Sequence, residues 1–388
     1  MRWRACVAGA KQRSRTKDES PLAAPESPED DDPLAGISPA EIERLKRRAT
    51  INDIARLAGV SKKTVSRVIN QSPFVREETR KRIAAIIEVL GFAPDPQARG
   101  LAFRRSFLVG MIYDQPNPQY VVDMQQGILE ALRGSGYELV VHPCHRSDPN
   151  FLDEIRSFVE RQKLYGVVMP PSVSEDERVR EVLEELDCRY VRIASVPLDE
   201  PESMLVTHDH LGAQEAARYL AEQGHRRIAH ISGPSTWRSA ERRRAGFVEG
   251  LKEHGLTLED RYSAEGGYTF ESGVACATAL LKLEPRPTAI FTGNDEMAIG
   301  VYKAARDLGL SIPGDLSVVG YDDSPAASRI WPYLTTVRLP IRDMGRIAAE
   351  KLLAQGVAGR AQPDETVRPA LVVRESVAQP GGGGGAGG

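Results

Sequence analysis

The chain has 388 residues, which exceeds what one compact core usually accommodates and predicts two or three domains. Its net charge is −3, but residues 47–105 hold 13 basic and 5 acidic side chains, a local net charge of +8. A basic module on an acidic body indicates a polyanion partner for that module alone. Four scattered cysteines predict a reduced cytoplasmic protein, and neither a membrane-spanning apolar run nor a secretion signal is expected.

Both ends of the chain have compositions that oppose packing. Residues 1–46 are rich in acid and proline, as in "DESPLAAPESPEDDDP", and predict a disordered leader. A leader that contacts DNA or a partner is the alternative. Residues 377–388 end in "QPGGGGGAGG" and predict a flexible tail.

The segment "TINDIARLAGVSKKTVSRVIN", which starts at Thr50, predicts two short helices joined by a tight turn. Thr50 and Asp53 have the spacing of an N-terminal cap. Gly59 permits the positive φ of the turn, and Ser61 can cap the second helix. A third amphipathic helix follows in "REETRKRIAAIIEVLG" and completes a small apolar core. We therefore predict a helix-turn-helix domain over residues 47–93.

The exposed face of the second helix carries side chains that suit a DNA groove. Lysine and arginine can reach guanine edges or phosphates, while hydroxyl and amide groups can hold phosphates. The candidate DNA contacts are Ser61, Lys62, Lys63, Thr64, Ser66, Arg67 and Asn70. A solvated cationic face is the alternative, but the agreement of turn glycine, caps and third helix favours DNA binding.

From residue 107 onward, short β-rich runs such as "FLVGMIYD", "YGVVMPP" and "LSVVGYDD" alternate with helical stretches. Such alternation predicts parallel sheets covered by helices. Roughly ten units are too many for one ordinary open sheet, so two α/β lobes are expected. A single barrel is the structural alternative.

Several of these segments resemble, in order, the LacI/GalR family of bacterial transcription regulators. The helix-turn-helix segment resembles the DNA-binding headpiece of that family. "YLAEQGHRRIAHISGP", "ERRRAGFVEGL" and "TAIFTGNDEMAIGVYKAARDLGLSIPGDLSVVGYDDS" resemble segments of its body. The resemblance implies an all-α headpiece and a periplasmic-binding-protein-like body, residues 106–376, of two doubly wound α/β lobes. The lobes are then expected at 106–224 with 336–357, and at 225–335 with 358–376.

Residues 94–105, within "GFAPDPQARGLAFRRS", resemble the family's hinge helix. The resemblance implies that Arg99 contacts DNA and that Leu101 is an apolar wedge in the minor groove, where such wedges unstack bases and bend the duplex. Asp95 stands where asparagine is usual, and a flexible linker is the alternative. The resemblance also implies a homodimer on near-palindromic operator DNA, because the glycine tail replaces the leucine-rich helix of tetrameric members.

The resemblance further implies a small carbohydrate effector between the lobes. Arg243 matches the family's effector-binding arginine, and Tyr268 falls where an aromatic ligand wall is frequent. Asn294 and Asp295 follow a strand in "FTGND", and Asp295 is predicted to accept hydrogen bonds from sugar hydroxyls, because ligands favour the carboxyl ends of parallel strands. The alternatives are a helix cap for Asn294 and Asp295, the surface for Arg243 and the core for Tyr268.

The first lobe is expected to add two effector contacts. Tyr120 and Asp123 follow the loop "YDQPNPQ", near the family's cleft position. His210 and Leu339 stand where the family usually has asparagine and glutamine. These departures leave the identity of the effector open.

Two other functions are compatible with a two-lobed body. "HPCH" and "HDH" are locally rich in histidine, but neither has a recognisable zinc spacing, and the sequence shows no nucleophile elbow or P-loop. We therefore expect no metal, no cofactor and no enzyme activity. A cytoplasmic sugar-binding protein without a DNA function is opposed by the intact helix-turn-helix segment. The sequence predicts a DNA-binding transcription regulator, most simply a repressor, that a sugar controls.

Overall fold

The computed structural model describes residues 38–69, 74–92, 106–355 and 367–381. The chain divides into two units, one that ends at Asp95 and one that starts at Pro96. The first contains the predicted helix-turn-helix segment, and the second contains the predicted α/β body.

The described part of the first unit consists of four helices around one apolar cluster. They are α1 (Pro39–Arg48), α2 (Ile51–Leu57), α3 (Lys62–Ile69) and α4 (Glu77–Leu90). Thr50 and Asp53 cap α2 reciprocally, with Thr50 N donating to Asp53 Oδ2 at 2.9 Å. Gly59 adopts φ +64° in the turn before α3. The predicted helix-turn-helix order is confirmed.

Helix α1 corrects the predicted disorder of residues 1–46. Ser38 Oγ accepts a hydrogen bond from Glu41 N at 3.3 Å, and Pro39 occupies the first turn, where its missing N–H costs no helical bond. Leu45 is 4% exposed and lies in the same apolar cluster as Ile54. The prediction of disorder rested on the acid and proline content of the whole leader, and it therefore overlooked a short amphipathic helix at the end of that segment. Residues 1–37 lie outside the described ranges.

The first lobe of the body is built on a five-stranded parallel sheet with strand order β2-β1-β3-β4-β5. Its strands are β1 (Leu108–Tyr113), β2 (Glu138–Pro143), β3 (Gly166–Met169), β4 (Arg189–Ala194) and β5 (Met204–Val206). Its helices are α5 (Pro118–Leu132), α6 (Phe151–Gln162), α7 (Glu177–Glu185) and α12 (Ile341–Ala354). Short 3-10 turns follow β3 at Val173–Glu175 and precede β5 at Pro201–Ser203.

The second lobe is built on a six-stranded sheet with strand order β11-β10-β9-β8-β6-β7. Its strands are β6 (Ile228–Ser232), β7 (Ser263–Glu265), β8 (Ala289–Thr292), β9 (Ser317–Asp322), β10 (Thr335–Arg338) and β11 (Ala370–Val372). All neighbours are parallel except β10 and β11. Its helices are α8 (Asp209–Glu222), α9 (Arg238–Glu253), α10 (Phe270–Leu281) and α11 (Asp295–Asp307).

The chain crosses between the lobes at positions that differ from the prediction. Helix α8 packs on α9 and against β10 and β11, so the first crossing lies near His208 and not after residue 224. Strand β10 pairs with β9, so the second crossing lies near Leu339 and not at 336. The third crossing, placed near residue 357, lies outside the described residues.

The close approach of α8 and α9 explains why α8 belongs to the second lobe. A Cβ atom on Gly246 would lie 2.1 Å from the carbonyl oxygen of His210, and one on Gly250 would lie 2.5 Å from that of Gln214. Only glycine at these positions lets the two helix backbones meet. Along the described ranges, no helix is both long enough and apolar enough to cross a bilayer.

Candidate DNA-binding surface and effector cleft

Helix α3 separates an apolar face from a cationic face. Val65 is fully buried and Val68 is 8% exposed. Lys62, Lys63 and Arg67 are exposed and form no ion pair with any described residue, so their charges are available to an external anion. This arrangement suits a helix that enters the major groove and contacts phosphates or base edges.

The hydroxyl groups predicted to contact DNA have different surroundings. Ser61 Oγ accepts a hydrogen bond from Thr64 N at 3.1 Å and lies 2.9 Å from Thr64 Oγ1, so Ser61 caps α3. Ser66 is half-buried. Asn70, Arg99 and Leu101 lie outside the described residues, and their proposed DNA contacts remain predictions.

A narrow cleft lies between the two lobes at the carboxyl ends of both sheets. Its position follows the rule that ligands of parallel α/β sheets bind beyond the strand ends. The first lobe contributes Gln115, Asn117, Tyr120, Pro171 and Met344. The second lobe and the crossings contribute Thr207, Asp209, Trp237, Ser239, Arg243, Tyr268, Asn294, Asp322 and Leu339.

Arg243 of α9 is the central cation of this cleft and is 7% exposed. Its Nε donates to Asp209 Oδ1 at 2.8 Å, and its Nη1 donates to the carbonyl oxygen of Gly293 at 2.6 Å. Its guanidinium carbon lies 3.8 Å from the centre of the Tyr321 ring. Burial alone would lower the pKa of Arg243, but Asp209 and the neighbouring phenols and carboxylate raise it well above its ordinary value. The guanidinium therefore stays charged and fixed in orientation.

Two carboxylates accompany this single guanidinium. Asp209, at the start of α8, also accepts a hydrogen bond from the hydroxyl of Thr207. Asp322, the last residue of β9, has Oδ1 3.7 Å from Arg243 Nη1 and accepts no side-chain hydrogen bond from a described residue. Burial raises the pKa of Asp322 well above its ordinary value. Asp322 therefore presents a carboxyl group whose hydrogen-bonding capacity is left for a ligand.

The turn after β9 holds Asp322 in an uncommon backbone conformation. Asp322 has φ +110° and Asp323 has φ +56°, values that non-glycine residues rarely adopt. Asp323 anchors the turn by accepting from Arg338 Nε at 2.7 Å and from Arg374 Nη2 at 2.5 Å. Such conformations persist where surrounding contacts enforce them, and they are frequent at ligand sites.

Two aromatic rings form one wall of the cleft. Trp237 and Tyr268 are nearly buried, and their ring centres lie 5.3 Å apart at an angle of 58°. Tyr268, predicted as an aromatic ligand wall, lines the cleft, and its contact with a ligand stays a prediction. Tyr120 lines the opposite side, and its hydroxyl is buried without a hydrogen-bond partner among the described residues.

The structure places Asp295 outside the cleft lining, contrary to the prediction. Asp295 is 1% exposed. Its Oδ2 accepts from Ser324 N at 2.6 Å, and its Oδ1 accepts from Thr336 Oγ1 at 2.5 Å. Burial raises the pKa of Asp295 to about 7, against the lowering effect of these hydrogen bonds. Asp295 ties neighbouring segments together inside the second lobe.

The remaining predicted effector residues are divided between the cleft and its margin. Asn294 lines the cleft, but its side chain caps α11 by accepting from Met297 N at 3.0 Å and donates to the carbonyl oxygen of Tyr268 at 3.0 Å. Asp123 lines an adjoining surface depression and accepts a hydrogen bond from Gln119 Nε2 at 2.9 Å. The side chains of Asn294 and Asp123 are therefore both engaged in hydrogen bonds with neighbouring protein groups.

The prediction missed several residues that face the cleft. The signal for Asp322 was present, since "LSVVGYDD" ends a predicted strand in the same way as "FTGND". Asp209 lies in "THDH", a segment that was considered above only for its histidines. In "HPCH", His142 stacks on Phe158 at 4.6 Å, and within the described ranges no group of three or more His, Cys, Asp or Glu residues is arranged to hold a metal ion.

Comparison with known proteins agrees with both the headpiece and the α/β body. Residues 50–95 match the family model described as bacterial regulatory proteins, lacI family, and residues 217–377 match the periplasmic binding protein-like domain. The probable HTH-type transcriptional repressor ExuR of Bacillus subtilis (strain 168) is 32% identical over 311 residues, covering 79% of this chain and 91% of the relative. The ribose operon repressor of Escherichia coli (strain K12) is also 32% identical, covering 79% and 92%.

Solved structures give the same result. A lac repressor dimer bound to operator and the anti-inducer ONPF has a TM-score of 0.69 and 28% identity, covering 85% of this chain and 99% of that one. A complex of the transcriptional regulator CelR with cellobiose has a TM-score of 0.64 and 30% identity, covering 85% and 100%. The chain therefore belongs to the LacI family of DNA-binding transcription regulators.

Proposed function

We propose that this protein is a cytoplasmic transcriptional repressor that binds a near-palindromic operator as a homodimer and responds to an uncharged sugar in its cleft. The headpiece supplies DNA binding through α3, and by resemblance Arg99 and Leu101 add hinge contacts. The relatives from Bacillus subtilis and Escherichia coli described above are named as repressors, which supports repression over activation.

The observation that carries the sugar assignment is the fixed polar centre of the cleft. Arg243 is held by Asp209 and by the carbonyl oxygen of Gly293, so its orientation is set before a ligand arrives. Asp322 adds a carboxyl group that lies 3.7 Å from Arg243 Nη1 and accepts no side-chain hydrogen bond from a described residue. A fixed donor beside a free acceptor suits neighbouring hydroxyl groups, each of which can both donate and accept.

The charge balance argues against an anionic ligand. Asp209 and Asp322 face one guanidinium, and Glu175 lies beside the cleft with 8% exposure. Asp209 already pairs with Arg243, so a phosphate or carboxylate group would compete with Asp209 for that guanidinium in a poorly solvated space. An uncharged sugar avoids that cost.

The aromatic wall of the cleft provides an apolar surface for a sugar ring. Trp237 and Tyr268 present nearly buried rings, and the C–H faces of a sugar ring can pack on such surfaces. The named ligand of one similar structure, CelR, is cellobiose, which is an uncharged sugar.

A thermal-shift screen tests the proposal. The panel contains uncharged mono- and disaccharides, the corresponding uronic acids and sugar phosphates, and purines. We expect an uncharged sugar to raise the melting temperature by mass action and to change operator affinity in an anisotropy assay. Stabilisation by purines or acidic sugars alone would overturn the ligand class but not operator binding. Failure to bind any duplex selected from a randomised pool would overturn the regulator itself.

A further inference from the structure

Helix α1 is a fixed part of the headpiece, although it precedes the segment of residues 50–95 that matches the lacI family. Leu45 is 4% exposed and packs in the apolar cluster that contains Ile54. Glu41 Oε1 accepts a hydrogen bond from Arg56 Nη2 of α2 at 3.1 Å. The surface of α1 is therefore continuous with that of α2.

The charges of α1 are segregated along its length. Glu41 and Glu43 lie in its first half, 3.8 Å from Arg44 and 3.2 Å from Lys46 respectively. Arg47 is exposed and forms no ion pair with any described residue. Basic residues at a helix carboxyl end also stabilise the helix itself, so a role in binding must be separated from this ordinary role by experiment.

Arg47 lies close to the first helix of the helix-turn-helix motif. It lies three residues before Thr50, the cap of α2, and a chain of that length spans at most ~11 Å. In helix-turn-helix proteins the first helix of the motif, here α2, crosses the DNA backbone. Arg47, exposed and without an ion pair to any described residue, is therefore held close to the helix that crosses the DNA backbone.

We propose that α1 extends the DNA interface of this headpiece and that Arg47 contacts a backbone phosphate on the flank of each operator half-site. Such a contact carries no sequence information, because phosphates are alike along the duplex. It would widen the region of DNA that each headpiece covers. The inference rests on the operator binding proposed above.

The test measures how the affinity of the full-length protein depends on salt. Arg47→Ala is titrated with the selected operator duplex and with a random duplex between about 50 and 200 mM salt, the range over which phosphate contacts change affinity strongly. We expect the slope of log K against log salt to become shallower by about 0.9 for each bound headpiece. The loss of affinity should be similar on both duplexes.

Two further variants make the result specific. Arg44→Ala removes the same charge from the same helix, but Arg44 pairs with Glu41 and lies three residues farther along the chain from Thr50, so its slope should match the parent. Arg47→Lys keeps the charge and should also keep the slope. An unchanged slope in Arg47→Ala, or equal reductions in Arg47→Ala and Arg44→Ala, would overturn the inference. A parent protein that binds no duplex would instead overturn the proposed function and this inference with it.

Discussion

At the scale of single residues, two aspartates that follow neighbouring strands have opposite roles. Asp322 faces the cleft beside Arg243, whereas both carboxyl oxygens of Asp295 accept hydrogen bonds inside the second lobe. Asp322 is the last residue of β9, and Asp295 begins α11 three positions after the end of β8, so both stand near the carboxyl end of a parallel strand. The difference arises from the turn at Asp322, whose positive φ redirects the chain. The pattern of residues in the sequence does not predict this backbone angle.

Asp322→Asn should weaken sugar binding without weakening operator binding in the absence of sugar. The amide keeps the size of the side chain but removes one acceptor oxygen, and each hydrogen bond lost to a sugar hydroxyl costs about 0.5–1.5 kcal/mol, or roughly 2- to 10-fold in affinity. Isothermal titration with the sugar found in the screen measures the loss. Asp295→Asn is the matched control and should retain sugar affinity. A larger loss in Asp295→Asn than in Asp322→Asn would restore the original assignment.

The raised pKa of Asp295 predicts how stability depends on pH. The pKa is about 7 in the folded protein against an ordinary value of 3.8, so the folded state binds the proton more tightly. The stabilisation is complete below pH 3.8 and is lost as the pH rises toward 7. Urea titrations of the parent should show stability falling across this window by at most ~1.4 kcal/mol per pH unit from this group. Asp295→Asn should flatten that dependence, and an unchanged profile would contradict the protonated state.

At the scale of elements, the headpiece was predictable because its signals are local. The capping pair Thr50 and Asp53, the turn residue Gly59 and the periodicity of α3 lie within 20 consecutive residues. The crossings between the lobes were less predictable, because α8 could pack on either sheet. The packing of α8 on the second lobe depends on the close approach of Gly246 to the carbonyl oxygen of His210, a contact between distant parts of the chain.

One contact between elements of different lobes closes the margin of the cleft. Glu175, in the 3-10 turn after β3, accepts through Oε2 from Arg238 N at 3.0 Å, at the first residue of α9. The Arg146 guanidinium lies 5.9 Å from the Trp237 ring beside it. Glu175 thus binds the end of the helix that also carries Arg243.

Glu175→Ala should therefore favour the open cleft and weaken sugar binding. A charged hydrogen bond of this kind contributes about 1.5–3 kcal/mol, which sets an upper limit of roughly 150-fold on the loss. Fluorescence titration measures the affinity, and melting temperature without sugar controls for folding. Glu181→Ala, an exposed glutamate on α7, provides the charge control. Equal sugar affinity in Glu175→Ala and the parent would show that the contact does not contribute to closure.

At the scale of the whole molecule, charge is divided between the domains. Residues 47–105 carry a net charge of +8, and the rest of the chain carries −11, which together give −3. The body therefore repels DNA, while the headpiece attracts it. Specific affinity must come from the small headpieces, and a single module of this kind covers only ~600–1,000 Å².

A duplex with one intact half-site should consequently bind much more weakly than the complete operator. In a dimer the second headpiece is tethered near its half-site, and such linkage typically raises affinity by about 10²–10⁴-fold. Anisotropy with the two duplexes at one salt concentration measures this difference, and light scattering reports the dimer. Equal binding of both duplexes, or a tetramer at micromolar concentration, would contradict the proposed assembly.

The polar centre of the cleft has a consequence for the order of events in time. Arg243, Asp209 and Asp322 all belong to the second lobe, whereas the first lobe contributes mainly Tyr120, Met344 and other margin residues. An arriving sugar can thus form its polar contacts on one lobe before the other approaches. Association should follow two kinetic phases: a collision step whose rate rises with sugar concentration, and a closing step whose rate reaches a plateau. The delay between signal and transcriptional response would then be set by the second phase once sugar is abundant.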